Sequence, residues 1–373
     1  MRESSGWLSL LRGRGRALLL ALCISAGAMW LALMNVSMDG LTGALLQADL
    51  LCLMGVAALF MTQQLVRAWR QAVILQAQHP SHQIGSSFGV LCIGFFFINS
   101  LPLRIGEVVR PLVLHDREQI PLGHGFAMVF CERVIDFAAM LVMIGVVAWV
   151  IPVPSHEISL TGLGMSGSID WVTVGRWAIV GAIPLVLLAG AAVIFAGRPI
   201  LHRVDRLAQK RGARVQAVNE RIQVFGEQFI PAVDALREPK RMSGVALLSV
   251  LTWVLTGCMY PLLAQGLGLG SFIGYGEGIA ILGFTMMGMT LPSLFGFAGT
   301  YEAAVVLSLS LFGVHGAQLI GESSLDDLAA AYALSMHWWI YLVQSVSAVA
   351  FLLIWRVDLG RLIQGIRGLG QSD

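Results

Sequence analysis

A short polar run interrupts an apolar stretch of the chain between residues 99 and 110. It contains Arg104, Glu107 and Arg110, spaced at i, i+3 and i+6. On a helix these positions share one face, so two guanidinium groups beside one carboxylate would leave a net positive charge. Arginine binds phosphate through two parallel hydrogen bonds, and a phospholipid head group or a polyprenyl phosphate would supply that phosphate. Alternatively, Arg104 and Arg110 lie at the cytoplasmic interface and anchor the segment there.

Pro102 and Gly106 in the same run predict a break in helical structure. Proline removes a backbone donor, and glycine permits a close approach or an unusual dihedral angle. Inside a bilayer, the freed backbone groups must be satisfied by protein or by water in a cavity. We therefore predict an unwound turn and include Asn99, which begins the run, among the candidate substrate-binding residues.

A second group of ionisable residues lies in the following apolar stretch. Arg133 and Asp136 are spaced at i, i+3, and Glu132 and Asp136 at i, i+4, so all three form one compact patch on a helix. Glu132 would sit roughly 9 Å into the helix at 1.5 Å per residue. The patch either contributes to a phosphate site or forms a buried ion-pair network, with Arg104 as a candidate partner. The two roles are compatible.

The second half of the chain has fewer ionisable candidates. Glu302 follows the glycine-rich run 296–299 and could pair with Arg133, bind a proton or cation, or face outside water. His337 stands among aromatic residues and is either a proton carrier or a hydrogen-bonded packing residue. Ionisable groups in a bilayer cost about 2.5 kcal/mol or more and are functional candidates by default.

The composition determines the class of protein. Of the 373 residues, 57% are apolar and 12% are charged, whereas soluble domains carry about 25% charged residues. The five cysteines lie in apolar runs without metal-ligand spacing, and no nucleotide-binding or hydrolase motif is present. We therefore expect an all-α polytopic membrane protein without metal, cofactor or nucleic-acid partner, and more likely not an enzyme.

Stretches of about 20 apolar residues are long enough to span a bilayer. Six such spans are predicted, at 17–34, 50–68, 126–151, 177–196, 244–265 and 329–355. Two further apolar segments are interrupted by a proline-containing break, the first hairpin at 84–114 and the second hairpin at 278–313.

Basic residues mark cytoplasmic loops. By this rule both termini are cytoplasmic, and Arg67 and Arg70 return the chain to the cytoplasm after the second span. The segment 197–243, with ten basic and five acidic residues, is predicted to be a cytoplasmic amphipathic insertion that anionic lipid attracts. Alternatively, the segment is an ordinary solvated cytoplasmic loop, which would carry the same excess of basic residues. We expect this topology in the plasma (inner) membrane.

This charge pattern predicts that each hairpin enters and leaves on one side of the membrane, the first from inside and the second from outside. Two complete crossings per hairpin, giving about eight to ten spans, would satisfy the same charges. With re-entrant hairpins, the halves 15–151 and 177–355 of a single domain 1–373 share one pattern in opposite orientation. Such inverted repeats are typical of transporters with a site near the membrane midplane.

The motifs at Asn99–Leu114, at 132–136 and at Leu291–Gly296 with Glu302 resemble the lysylphosphatidylglycerol synthase transmembrane-region, or flippase-like, family. That family has an Asn…Pro-x-Arg-x-Gly-Glu-x-x-Arg motif, a later Glu-Arg-x-x-Asp, and a late Pro…Gly…Glu break. The resemblance covers roughly residues 15–355. The spacing from Gly296 to Glu302 is slightly longer than the family's Gly-x-x-Glu.

The resemblance implies a multi-span domain that moves or presents lipids, which in the aminoacyl-lipid branch is fused to a soluble transferase domain. The sequence ends eighteen residues after the last predicted span, so we expect a stand-alone translocator of a phospholipid or lipid-linked phosphate. The alternatives are a membrane-embedded transferase, with Glu107 or Glu132 as base, and a non-catalytic membrane partner of a separate biosynthetic enzyme.

Single cysteines introduced into a cysteine-free background test the predicted topology. We expect Asp39→Cys, Leu160→Cys and Ile320→Cys to react with an impermeant maleimide from outside the cell, because their loops lack Lys and Arg. Labelling of Leu160→Cys only from the cytoplasm would contradict the re-entrant first hairpin.

Overall fold

Helices make up nearly all of the protein in the computed structural model, which describes residues 15–100, 106–150, 157–159, 168–209, 211, 213–293 and 295–370. The sheet in this part of the chain is limited to two short antiparallel pairs, Glu157–Ser159 with Ser168–Asp170 and Leu319–Ile320 with Ser323–Ser324. The predicted all-α class is confirmed.

The helices of the first half, in chain order, are α1 (Gly15–Leu33), α2 (Met38–Gln47), α3 (Leu50–Leu75), α4 (Ile84–Ser100), α5 (Gly106–Glu118) and α6 (Leu122–Val150). The remaining α-helices are α7 (Trp171–Ala208), α8 (Ala213–Asp234), α9 (Pro239–Gly266), α10 (Tyr275–Gly288), α11 (Thr300–Leu311), α12 (Leu325–Leu334), α13 (Ile340–Trp355) and α14 (Leu359–Gly370). A π-helical turn, Ser335–Trp339, joins α12 to α13.

Four of the described helices are long and apolar enough to cross a membrane. They are α3, the Thr173–Gly190 part of α7, α9, and the continuous run Leu325–Ile354. A fifth span results if α1 and α2, which are bent by 81° against each other, count as one. The six predicted full spans therefore exceed this number. The helix α6 covers nearly all of the predicted span 126–151 and has 29 residues, with Glu132, Arg133 and Asp136 near its middle.

Both predicted hairpins consist of two helices on either side of a break. The helices α4 and α5 have 17 and 13 residues, and α10 and α11 have 14 and 12. At 1.5 Å per residue these arms are about 18–26 Å long, shorter than a hydrocarbon core of about 30 Å. Pro102 and Arg104 of the first break lie outside the described residues.

Close backbone approaches hold the two hairpins together. Gly106 at the start of α5 packs directly on the backbone of Phe97 and Ile98 in α4. At the second break, Gly296 has φ +60°, and a Cβ built on it would lie 3.2 Å from the Asn99 carbonyl oxygen. The second break therefore lies next to the end of α4, where Ser100 bonds to the Tyr341 hydroxyl of α13 at 2.9 Å.

Two apolar cores support these hairpins. One buries side chains of α3, α4, α5 and α6, together with the end of α8 and the start of α9. The other buries side chains of α3, α9, α10, α11 and α12. Large apolar residues such as Leu51, Leu247 and Leu353 remain exposed on the spans, as expected for helices surrounded by lipid.

The insertion 197–243 is helical in its described part. The end of α7 packs against α8, and Arg198 pairs with Asp234 at 2.7 Å. The predicted apolar side lies largely on the surface, where Leu207, Val218 and Ile222 are exposed.

The Gly106 contact predicts a stability difference between two glycine variants. Gly106→Ala should lower the thermal unfolding midpoint in detergent, since a methyl group has no room there and overpacking costs about 1–3 kcal/mol. Gly85→Ala is the matched control because a Cβ at Gly85 in α4 meets nothing within 4 Å. Equal midpoints for the two variants would contradict the close packing of α4 on α5.

Candidate functional site

A buried ion pair joins α3 to α6. Arg70 donates hydrogen bonds to both carboxylate oxygens of Asp136, one of them at 3.0 Å, and a further bond to Ser249 of α9 at 2.9 Å. Arg70 and Asp136 are both buried. The expectation that Arg70 faces cytoplasmic water is wrong, because α3 continues to Leu75 and packs this side chain between helices.

A second buried pair joins α5 to α6. Arg110 Nη2 donates to Glu132 Oε2 at 2.6 Å and to Gln71 of α3 at 2.5 Å. Arg110 reaches these acceptors by crossing α4 at Gly94, where a Cβ would meet Arg110 Cδ at 2.8 Å. The described partner of Glu132 is thus Arg110, whereas Arg104, which we considered from the sequence, lies outside the described residues.

Two further guanidinium groups stand at the edge of these pairs. Arg67 of α3 is partly buried, and its Cζ lies 5.1 Å from the centre of the Phe95 ring. It has no carboxylate within salt-bridge distance among the described residues. Arg133 of α6 reaches Asp136 at only 3.8 Å, and 38% of its side chain is exposed. Both cations interact electrostatically with Asp136, which is already held by Arg70.

We call Arg67, Arg70, Arg110, Arg133, Glu132 and Asp136 the arginine cluster. It contains four guanidinium groups and two carboxylates, a net charge of +2 within the described residues. Its buried polar atoms are not all satisfied by this part of the chain: the Nε of each arginine and Oε1 of Glu132 have no hydrogen-bond partner there. Unpaired buried donors are costly, and the four Nε groups are donors to which an anion could supply oxygen acceptors. Glu132 Oε1 is itself an acceptor and would need a donor instead.

Two predicted residues of the first hairpin stay at the margin of the cluster. Glu107 lies in the first turn of α5, half-buried, where a carboxylate is favourable next to the helix N-terminus, and no described cation pairs with it. Asn99 lies at the end of α4, with its carbonyl oxygen facing Gly296. Arg110, predicted to share a helix face with Glu107, is paired with Glu132 of α6 instead.

The second half has its own buried acid. Glu302 accepts a hydrogen bond from the Gly299 N–H at 2.7 Å, and its other oxygen lies 2.7 Å from His337 Nδ1. Glu302 is 1% exposed. Of the partners considered from the sequence, Arg133 is not the one it contacts. The candidate residues are thus distributed over two sites, one in each predicted half.

Sequence reasoning missed the contribution of α3 to the arginine cluster. Gln63, Gln64, Arg67, Arg70 and Gln71 recur at i, i+1, i+4, i+7 and i+8, which is a polar stripe on one helix face. That spacing could have identified the residues. The predicted span 50–68 instead includes Gln63, Gln64 and Arg67, and Arg70 and Gln71 follow its end.

A polar cleft of about 550 Å³ lies beyond the end of α3. His82 bonds to Glu118 at 2.6 Å and to Ser87 at 2.7 Å, while His79 lies 2.9 Å from His124. Burial and the neighbouring His82 lower the pKa of His79. These groups largely satisfy one another, so the cleft is a structural junction between the α3–α4 loop and the ends of α5 and α6.

Comparison with known proteins gives one result. The family model described as the lysylphosphatidylglycerol synthase TM region matches residues 18–336 of the chain. No curated protein and no solved structure matches significantly.

Removal of one partner from the buried pair should be strongly destabilising. We expect Asp136→Asn to lower the free energy of unfolding by about 3–5 kcal/mol, because Arg70 is left buried without a counter-charge. Asp39→Asn, at an exposed position in the first turn of α2, is the control and should be nearly neutral. The measurement is thermal unfolding in detergent.

The double variant Arg70→Leu/Asp136→Leu tests whether the loss comes from the uncompensated charge. It should recover part of the stability, since replacing both members of a buried pair by apolar residues is often neutral. A double variant less stable than Asp136→Asn would show that the pair stabilises the fold beyond charge compensation.

Proposed function

The chain belongs to the lysylphosphatidylglycerol synthase transmembrane-region family, and from that premise we propose that it translocates a phospholipid or a lipid-linked phosphate between membrane leaflets. The observation that carries the proposal is the net positive arginine cluster with Arg67 and Arg133 at its edge. These two guanidinium groups would receive the phosphate, while Arg70 and Arg110 are already occupied by Asp136 and Glu132.

The arrangement favours binding and movement over covalent chemistry. Arginine keeps its charge at all relevant pH values, so the cluster offers permanent cations and a fixed set of donors. Glu132, one of the two carboxylates considered as a general base, is held at 2.6 Å by Arg110 and is 1% exposed. Because Glu132 is buried and already bonded to Arg110, it is poorly placed to take a proton from a substrate, which disfavours the transferase alternative at this residue.

The adjoining hairpin breaks supply the second element of the proposal. A phosphate that crosses a bilayer needs polar groups at membrane depth, and unwound backbone provides these where it is buried in protein or lines a cavity. Gly296 of the second break lies next to the Asn99 carbonyl oxygen at the end of α4. In this scheme the head group would pass between the two hairpins while the acyl chains remain in lipid.

We also infer the cellular setting. We infer the plasma (inner) membrane as the location of the chain, and the distribution of basic residues favours both termini in the cytoplasm. The partner would be a membrane lipid, with a separate biosynthetic enzyme as its source or consumer.

Translocation by the purified full-length chain in liposomes tests the function. With a fluorescent anionic phospholipid as probe, dithionite quenching should report transfer from the inner leaflet. Arg67→Gln and Arg133→Gln should each reduce the rate about ten-fold or more, because a hydrogen bond to a charged group contributes about 1.5–3 kcal/mol. Arg67→Lys should retain part of the activity, since it keeps the charge but loses the planar donor geometry.

Arg203→Gln is the matched control. Arg203 is an exposed residue near the end of α7 and should leave the rate unchanged. If the wild-type protein moves neither the phospholipid probe nor a polyprenyl phosphate, the translocator proposal is wrong. If Arg67→Gln and Arg203→Gln behave alike in a folded, active protein, the phosphate does not bind at the arginine cluster.

A further inference from the structure

The buried acid of the second half is paired with the residue type that titrates near neutral pH. Glu302 Oε1 and His337 Nδ1 are 2.7 Å apart, and the histidine side chain is 10% exposed. An imidazole changes its charge between about pH 5 and 8 when unperturbed. One proton therefore converts this contact from a neutral imidazole beside a carboxylate into an ion pair.

The residues around Glu302 and His337 are neutral near pH 7, so the net charge of this site depends mainly on the proton they share. Among the described residues, the titratable neighbour in contact with the pair is Tyr301, whose ring stacks on His337, and Tyr301 in turn interacts with Tyr260 of α9 and Tyr332 of α12. From α1 the contact is made by Ser25 and Met29 at Gly299, and neither titrates. Glu277 of α10 caps the N-terminus of its own helix through Gly274. Tyrosine stays neutral near pH 7, so no described cation compensates Glu302 other than protonated His337.

The pair is connected to the second break on one side. Glu302 Oε2 accepts the N–H of Gly299, which has φ +89° and immediately precedes α11. The position of Glu302 thus controls how the break ends and α11 begins. His337 itself lies in the π-helical turn 335–339, a local departure from α-helical geometry that is frequent at functional sites.

On the other side the pair is connected to the first hairpin. The His337 ring lies 5.0 Å from the Trp338 ring and 4.3 Å from that of Tyr301, and Trp338 contacts Tyr341 edge-on at 5.7 Å. The Tyr341 hydroxyl bonds to Ser100, beside the first break. The His337 ring is therefore connected, through Trp338 and Tyr341, to Ser100 at the end of α4.

We propose that Glu302 and His337 form a proton-binding site that locks the second hairpin break. With the proton bound, the charge-assisted contact ties α11 to the π-helical turn more strongly than a neutral hydrogen bond does. Release of the proton weakens this tie and leaves Glu302 held by Gly299 and a neutral imidazole. The break then opens more readily. The site would thus make the opening of the second hairpin depend on pH.

Tryptophan fluorescence tests proton binding without any transport activity. A protonated imidazole quenches a neighbouring indole, so the emission that Trp338 contributes should fall as the pH is lowered through about 8 to 5. The signal is the difference between the wild-type protein and Trp338→Phe, both full-length in detergent. His337→Gln should abolish the step. His315→Gln, at an exposed loop position, should keep it. A step that persists unchanged in His337→Gln would overturn the assignment of the proton to this site.

Translocation in liposomes tests the lock. We expect the rate to fall at least about five-fold from pH 8 to 5, the scale of a typical coupling between sites. His337→Gln and Glu302→Gln should both lose this dependence, whereas Glu302→Gln should still show a fluorescence step. If both single variants, His337→Gln and Glu302→Gln, keep the wild-type pH dependence of the rate, the proposal that this site locks the second break is wrong. Absence of translocation at every pH would contradict the proposed function but leave the fluorescence result to decide the proton site.

Discussion

The ion pair between Arg70 and Asp136 lies where the three long helices α3, α6 and α9 meet. Its apolar surroundings exclude water, so each charge depends on the other for compensation. A guanidinium buried among helices needs a counter-charge and hydrogen bonds, since leaving it unpaired costs several kcal/mol. Asp136 and Ser249 provide them from α6 and α9. The pair therefore determines how α3, α6 and α9 are rotated about their axes, and with that which side chains face inward.

The other charges depend on that arrangement. Once α6 is oriented by Asp136, Glu132 lies one turn earlier on the same face and meets Arg110 of the first hairpin. Gly94 and Gly106 permit this, because α4 must lie close to α5 for Arg110 to reach across it. Arg70 and Arg110 pair with the two carboxylates, Asp136 and Glu132. Arg67 and Arg133 therefore carry the excess positive charge of the cluster. The proposed phosphate site is thus a consequence of the packing and not a separate addition to it.

The two halves handle their buried charge differently. The first uses permanent cations, which suit a phosphate that must be held whatever the pH. The second places one acid against a histidine, where the charge balance varies with a single proton. The contact between Gly296 and Asn99 places the second break next to the end of α4, so the proposed phosphate site and the proposed proton site lie on connected parts of the fold.

The sequence alone determined the membrane class, the helical content, both hairpin breaks and most of the ionisable candidates, because hydrophobic length, proline and isolated charges are local signals. The partners were decided only by the tertiary structure. Glu132 pairs with Arg110, Glu302 pairs with His337, and Arg70 is buried instead of exposed. Spacing along one helix indicates which residues share a face, but the rotation and neighbours of that helix depend on contacts between residues far apart in the chain. For that reason Arg70 is predicted to follow the end of a span, although its side chain is buried between α3, α6 and α9.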